Sequence, residues 1–295
     1  MANIIKHKPI VIQKRITISQ LAKTMNVSRG MLYYQHKQPL IDNEIKILIE
    51  SVLSTKGKES YGHKRIALDL KFNRKRILRV MRKFNIKPYR RRKQSPLKKA
   101  DIGKPPSQYK NLIQNFCPII PNFVWASDFT YISYQYKFIY LSTIMDIFSR
   151  EIIGFNISRL HNTNLICSTI YDALKYTTHK TPTFLHSDQG SEYDSKRHTE
   201  LANMLGIQIS MSRKASPWEN GFQESFYSQF KLDLGDPNRF KQLGELVEEI
   251  EHIIYRHNNV KTHSVLKTNP VNFRKLWEQK VSNFNGENLF NELGA

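Results

Sequence analysis

A chain of 295 residues with 40% hydrophobic content can fill a core in two domains, or in one domain with a substantial appendage. Its 46 Lys and Arg against 25 Asp and Glu leave +21, and the excess is segregated: residues 1–110 hold 28 basic and 6 acidic residues, whereas 111–295 hold 18 and 19. Solubility does not require such segregation, so the composition excludes a uniformly charged surface and points to a polyanionic partner such as nucleic acid.

Two cysteines, Cys117 and Cys167, with no CxxC near either, argue against a disulfide scaffold or a Cys-rich zinc site and suit a reducing compartment. The opening residues lack the apolar run of a signal peptide, and no later stretch is long and apolar enough to span a bilayer. The expected location is the cytoplasm, with no membrane partner.

In chain order, Thr17 to Gln35 (TISQLAKTMNVSRGMLYYQ) reads as helix, turn, helix. Ser19 is expected to cap the first helix, Leu21, Ala22 and Met25 to give its apolar face, Asn26 and Val27 to turn, and Ser28 to cap the second. In a helix-turn-helix the second helix presents its first side chains, here Ser28 and Arg29, to a DNA groove, although many two-helix hairpins share this spacing. A second unit runs from Tyr61 to Pro88. Ile66, Leu68 and Leu70 mark the packed side of one helix, and Ile77, Val80, Met81 and Phe84 recur at helical spacing on the next. The opposite face of that helix carries Arg74, Lys75, Arg76, Arg79, Arg82 and Lys83 with no acid among them. A solvated face would mix signs, so contact with DNA is expected.

Tyr89 to Pro106 (YRRRKQSPLKKADIGKPP), with Arg90, Arg91, Arg92 and Lys93, has dense charge and almost no apolar residue, and reads as a linker lying along phosphates. The expected plan is a DNA-binding region over 1–88, a basic linker over 89–119, a catalytic domain over 120–277 and a tail over 278–295.

From Phe123 three apolar runs separated by short turns read as an antiparallel meander, followed by helix, strand, helix and strand. The fold class is therefore α/β, with a mixed five-stranded sheet flanked by helices and preceded by an all-α region. Asp128 lies in the first strand and Asp188 ends the fourth (FLHSDQGSEY). Each sits in apolar surroundings where an unpaired carboxylate is costly. Either acid alone is read as well by a strand-end cap as by a metal ligand; side by side they would bind Mg2+ or Mn2+ as hard oxygen ligands. After the fifth strand, Ser216 and Pro217 start a helix expected to run on from Trp218. Glu224 and Lys231 share one of its faces, adding a third ligand and a cation near DNA. His186 either orients a water or phosphate or is satisfied locally, Asp146 is either a fourth acid or a turn cap, and Trp218 either stacks on a base or packs at the helix start.

Asp188 and Glu224 are separated by 35 residues. That spacing resembles the D,D(35)E pattern of retroviral integrases and bacterial transposases. The words WASDFTYI, MDIFSREIIGF, HSDQGSEY, MSRKASPWENGFQESFYSQFK and HNNVKTHSVLKTNPVNF resemble more narrowly the insertion sequence three family of transposases, over roughly Tyr61 to Phe273. Where the family usually has Asp, this chain has Glu219, and the usual Tyr and Arg of the tail appear as His257 and Lys261. The resemblance implies a ribonuclease-H-like integrase core in which Asp128, Asp188 and Glu224 hold two Mg2+ or Mn2+ ions and cut and join DNA strands without a covalent enzyme intermediate. It implies double-stranded insertion-sequence ends and target DNA as partners, a homo-oligomer on DNA, and a partner or fusion made from an upstream frame. A helix-turn-helix regulator with a non-catalytic C-terminal domain explains the basic third equally well, but not the three acids at this spacing; a third reading is a nuclease of the same fold that does not join strands, against which Lys231 and the basic third favour joining.

Overall fold

The computed structural model describes residues 17–33, 38–89, 109–114, 118–213 and 217–287. These group into two compact units divided between Leu48 and Ile49. The first holds α1 (Ile18–Thr24), α2 (Arg29–Tyr33) and the start of α3 (Gln38–Ser54). Thr17, not Ser19, caps α1. Its extended backbone lets its side chain accept the Gln20 N–H while the Gln20 side chain returns to the Thr17 N–H, a reciprocal box that leaves Ser19 inside the helix. Asn26 makes the turn in the left-handed region at φ 52°, and Ser28 Oγ accepts the Met31 N–H at 3.3 Å, as its expected capping role requires. Of the anticipated apolar face, Ala22 is buried and Leu21 and Met25 are exposed.

The second unit is built on five strands: β1 (Val124–Tyr134), β2 (Lys137–Asp146), β3 (Ile152–Ser158), β4 (Phe184–Ser187) and β5 (Gln208–Met211), in the order β3-β2-β1-β4-β5. β1, β2 and β3 pair antiparallel, and β4 and β5 add parallel to β1. The mixed sheet of the sequence reading is therefore the observed one. Alternation along β1 sends Trp125 into a core shared with α6 (Thr163–Tyr176) and α7 (Lys196–Met204), and Ile132 and Tyr134 into a second core. The latter is closed by α8 (Gly221–Leu234) and α9 (Leu243–Asn259) through Phe230, Leu234, Ile250 and Ile254. Each such fully buried side chain contributes about 1.5–3 kcal/mol. Gly154 in β3 lets α6 approach: a Cβ there would stand 2.7 Å from the Thr169 carbonyl oxygen.

α8 does not run on from Trp218. A 3-10 turn over Pro217–Asn220 precedes it, and the α-helix opens at Gly221. α10 (Pro270–Glu287) crosses the expected 277/278 boundary and is anchored by Arg274, which pairs with the buried Glu151 at 3.1 Å.

α4 (His63–Asp69) and α5 (Arg74–Lys83) belong to this same second unit. Ile66, Ile77, Val80 and Met81 are buried, while Leu68, Leu70 and Phe84 are half-buried. The pair is tied down by polar contacts. The buried Tyr61 hydroxyl accepts the Thr262 N–H at 2.8 Å, Thr262 Oγ1 donates to Asp69 at 2.6 Å, and Gln229 of α8 donates to Ser60 at 2.8 Å. The compact division thus falls inside α3, whereas the sequence plan put the end of the DNA-binding region at 88.

Candidate active site

Register sets the first two acids. β1 and β4 pair in parallel as Val124 with Phe184, Trp125 with Leu185 and Ala126 with His186. Asp128 lies two residues beyond the last of these pairs on β1, and Asp188 follows directly on the end of β4, so the two acids leave the same end of the paired strands. Two buried hydroxyls record the shared field. Burial raises Tyr193 and Tyr227 well above the ordinary tyrosine value, and for both the nearby charges of Asp128 and Asp188 push the same way. Tyr193 OH lies 3.0 Å from Ser127 Oγ, and Tyr227 OH donates to the Asp128 carbonyl at 2.8 Å.

Each carboxylate is aimed by backbone. Asp128 Oδ1 accepts its neighbour's Phe129 N–H at 2.8 Å, and Asp188 Oδ1 accepts the Gly190 N–H at 3.1 Å. Gly190 serves by lacking a side chain: a Cβ there would stand 3.1 Å from Asp188 Oδ1 and 3.2 Å from Glu192 Oε2. Glu192 in turn pairs with His161 at 3.2 Å, whose ring stacks against Phe129 and Tyr140.

Glu224 sits exposed in the first turn of α8. Its helix is stitched to the sheet by residues that sequence reasoning missed. Gln223 Nε2 donates to the Ala126 carbonyl at 2.6 Å, and Thr143 Oγ1 on β2 lies 3.1 Å from Gln223 Oε1 and 2.8 Å from Tyr227 OH. Their signal was legible, because Gln223 and Tyr227 stand four apart amid Phe222, Phe226 and Phe230. The fit to a divalent cation is partial. Two like charges at one end of the paired strands favour a cation between them, but among the described residues no three of His, Cys, Asp or Glu gather closely enough to hold a metal ion. Asp128 and Asp188 leave the same end of the paired β1 and β4, and α8, which carries Glu224, is fastened to β1.

The remaining candidates divide. Asp146 is a turn cap, accepting from the Asn122 and Ser149 N–H groups and the Ser149 hydroxyl, and burial raises its pKa. His186 is buried with Nδ1 2.9 Å from Ser210 Oγ, while Nε2 is buried without a hydrogen bond; burial pulls its pKa down to about 4. Glu219 clamps the approach to α8: it pairs with Arg213 at 2.7 Å and accepts from the Arg213 N–H and the Asn111 amide. Burial raises its pKa, but these bonds outweigh that and hold the carboxyl below its ordinary value. Lys231 stands 5.0 Å over the Tyr131 ring, which meets Phe138 edge-on. Arg74, Lys75, Arg76, Arg79, Arg82 and Lys83 are all exposed on α5, as are Ser28 and Arg29 in the first unit. Arg90, Arg91, Arg92, Lys93 and the Trp218 side chain lie outside the described residues. No helix of the described residues is long and apolar enough to cross a membrane.

Comparisons with known proteins come to the same region. Two integrase core domain families match, over residues 119–217 and 205–270. The transposase for insertion sequence element IS904 of Lactococcus lactis is 34% identical over 181 residues, covering 60% of this chain and 70% of that protein. The transposase InsF of insertion sequence IS3A from Escherichia coli is 29% identical over 185 residues, covering 61% of this chain and 64% of that one. Among solved structures, the catalytic core domain of HTLV-2 integrase in complex with magnesium aligns with a TM-score of 0.40 at 19% identity, covering 54% of this chain and 99% of that one.

Proposed function

Because this chain belongs to the insertion sequence three family of transposases, enzymes of DNA transposition and integration with an integrase core, we propose that Asp128, Asp188 and Glu224 are its catalytic carboxylates. The observation that supports the assignment is the parallel pairing of β1 with β4, whose paired stretch runs toward both aspartates. Mg2+ or Mn2+, two ions held by the three carboxylates, would supply an activated water or 3′-hydroxyl and stabilise the leaving 3′-oxygen during in-line displacement at phosphorus. The chain's own part is positional. The Phe129 and Gly190 N–H groups aim the two aspartates, and Gln223 and Tyr227 hold α8, and with it Glu224, against the strand that carries Asp128.

DNA is gripped by the exposed cations of α5 and by Lys231 beside the site. On sequence grounds Ser28, which precedes α2, Arg29 and the linker residues Arg90, Arg91, Arg92 and Lys93 also contact DNA, within a DNA-binding region spanning 1–88 and a linker over 89–119. The same chemistry with water nicks a strand and with a 3′-hydroxyl joins one. Joining holds two DNAs at once, which suits a homo-oligomer assembled on the element's ends.

The test is strand joining on labelled duplex ends with Mg2+, comparing the intact chain with Asp188→Asn. Joined product from the intact chain alone is expected; equal product from both would overturn the assignment.

A further inference from the structure

Away from the carboxylates, α8 forms the wall of a cavity of about 370 Å3. The same helix turns that expose Glu224 on one side contribute Phe222 on the other, since positions two apart on a helix point roughly oppositely. Arg65 of α4, Arg150 from the β2–β3 turn, Lys261, His263 and Val265 complete the chemistry of the lining, which among the described residues contains no acid.

The cations are held in place. Arg65 lies over the Tyr61 ring at 5.4 Å and donates to Gln229 at 3.4 Å, and the Arg150 guanidinium stacks 3.7 Å above the Phe222 ring. Lys261, paired with Asp233, and the two arginines together make the lining positive. The field is felt inside it: burial, then Arg150 and Arg65, pulls His263 down to about 4. Phe222 nonetheless stays 40% exposed and Val265 70%, leaving apolar surface beside the positive charge. Inorganic phosphate would fill a fraction of this volume, whereas small-ligand sites run from about 300 Å3 upward.

We propose that this cavity binds one unpaired nucleotide of DNA, its phosphate held by Arg65 and Arg150 and its base packed on Phe222 and Val265. Guanidinium pairs with phosphate, and an aromatic ring beside it accepts a base of any sequence. The inference rests on the transposase reading only for the source of the nucleotide, and its test needs neither metal nor turnover.

The full-length chain is titrated, without divalent metal, with a duplex bearing one unpaired terminal 2-aminopurine and with the same duplex blunt. Wild type is expected to quench the probe and to bind the overhang about tenfold more tightly than the blunt end. Arg65→Gln and Phe222→Leu are each expected to lose that preference while keeping blunt-end affinity. Phe222→Leu alters an exposed ring and keeps the test alive if Arg65→Gln fails to fold by circular dichroism. Displacement of the probe by millimolar deoxyadenosine monophosphate would show that a free nucleotide serves as ligand, and displacement by DNA alone would tie the site to a strand; either keeps the cavity as a nucleotide site. Absence of quenching in wild type, a preference retained in both variants, or equal displacement by inorganic phosphate would overturn the proposal. Loss of joining by Asp188→Asn is scored separately, so one reading can fail while the other stands.

Discussion

The Tyr227 hydroxyl donates to the main-chain carbonyl of Asp128 at 2.8 Å, fastening the helix of the third proposed carboxylate to the strand of the first. Tyr227→Phe keeps the ring among Phe226 and Phe230 and removes that bond. Losing it costs about 0.5–1.5 kcal/mol, the net worth of one hydrogen bond. A lower melting temperature is expected together with a fall in strand joining larger than the stability loss explains at 25 °C, and unchanged DNA affinity. Joining at the wild-type rate would separate the bond from the chemistry.

Glu224→Gln keeps the size and exposure of the side chain and removes its charge. If Glu224 supplies the third ligand, joining falls on the order of a thousandfold, equivalent to several kcal/mol of transition-state stabilisation. The melting temperature should hold, because an exposed helical position carries little of the fold. Joining measured against duplex binding decides it, and near-normal rates would reassign the third acid.

The six cations of α5 predict salt-dependent binding by the full chain. Replacing Lys75 and Arg76 with Gln removes two phosphate contacts and should flatten the dependence of log affinity on log salt by about 0.9 for each. Titrations at several salt concentrations read the slope directly, and an unchanged slope would take this face away from DNA.

Lys261 and Asp233 form a nearly buried pair, each side chain 6% exposed. Burial lowers the lysine's pKa even with Asp233 beside it. Asp233→Asn strands the cation and should cost about 3–5 kcal/mol, whereas Asp233→Leu combined with Lys261→Met should recover much of the loss. Denaturant melts of the three chains provide the comparison.

His257 bonds through Nε2 to the Arg150 carbonyl at 2.9 Å, and burial pulls its pKa from 6.5 to about 4. Between those values the unfolded chain binds more protons than the folded one. Stability is therefore fully present above 6.5 and drains as pH falls toward 4, by up to about 1.4 kcal/mol per pH unit. The raised acids Asp146 and Glu151 act in the opposite sense, so the useful quantity is a difference. The stability gap between wild type and His257→Gln should narrow from pH 7 to pH 5, and a gap independent of pH would refute the neutral imidazole.

Much of this was legible in residue order. Alternation in the apolar runs after Phe123 marks the meander, and the acid-free face of α5 marks a surface held out to a polyanion. What could not be read is pairing at long range. Nothing in the words around Asp128 and Asp188 reveals that their strands pair side by side and run parallel. Nor does Thr262 show that it fastens Tyr61 and Asp69. The 3-10 turn before α8 is not legible because Pro217 starts either kind of helix, and the cap at Thr17 rather than Ser19 is decided by the extended backbone at Thr17.

The hold of Thr262 on Tyr61 and Asp69 has a consequence for the DNA itself. α4 and α5 are bolted to the frame that bears the aspartates, so together they act as a fixed gauge along the duplex. A DNA end lengthened by roughly five base pairs between the bound stretch and the scissile phosphate, half a helical turn, would present its wrong side to the blade.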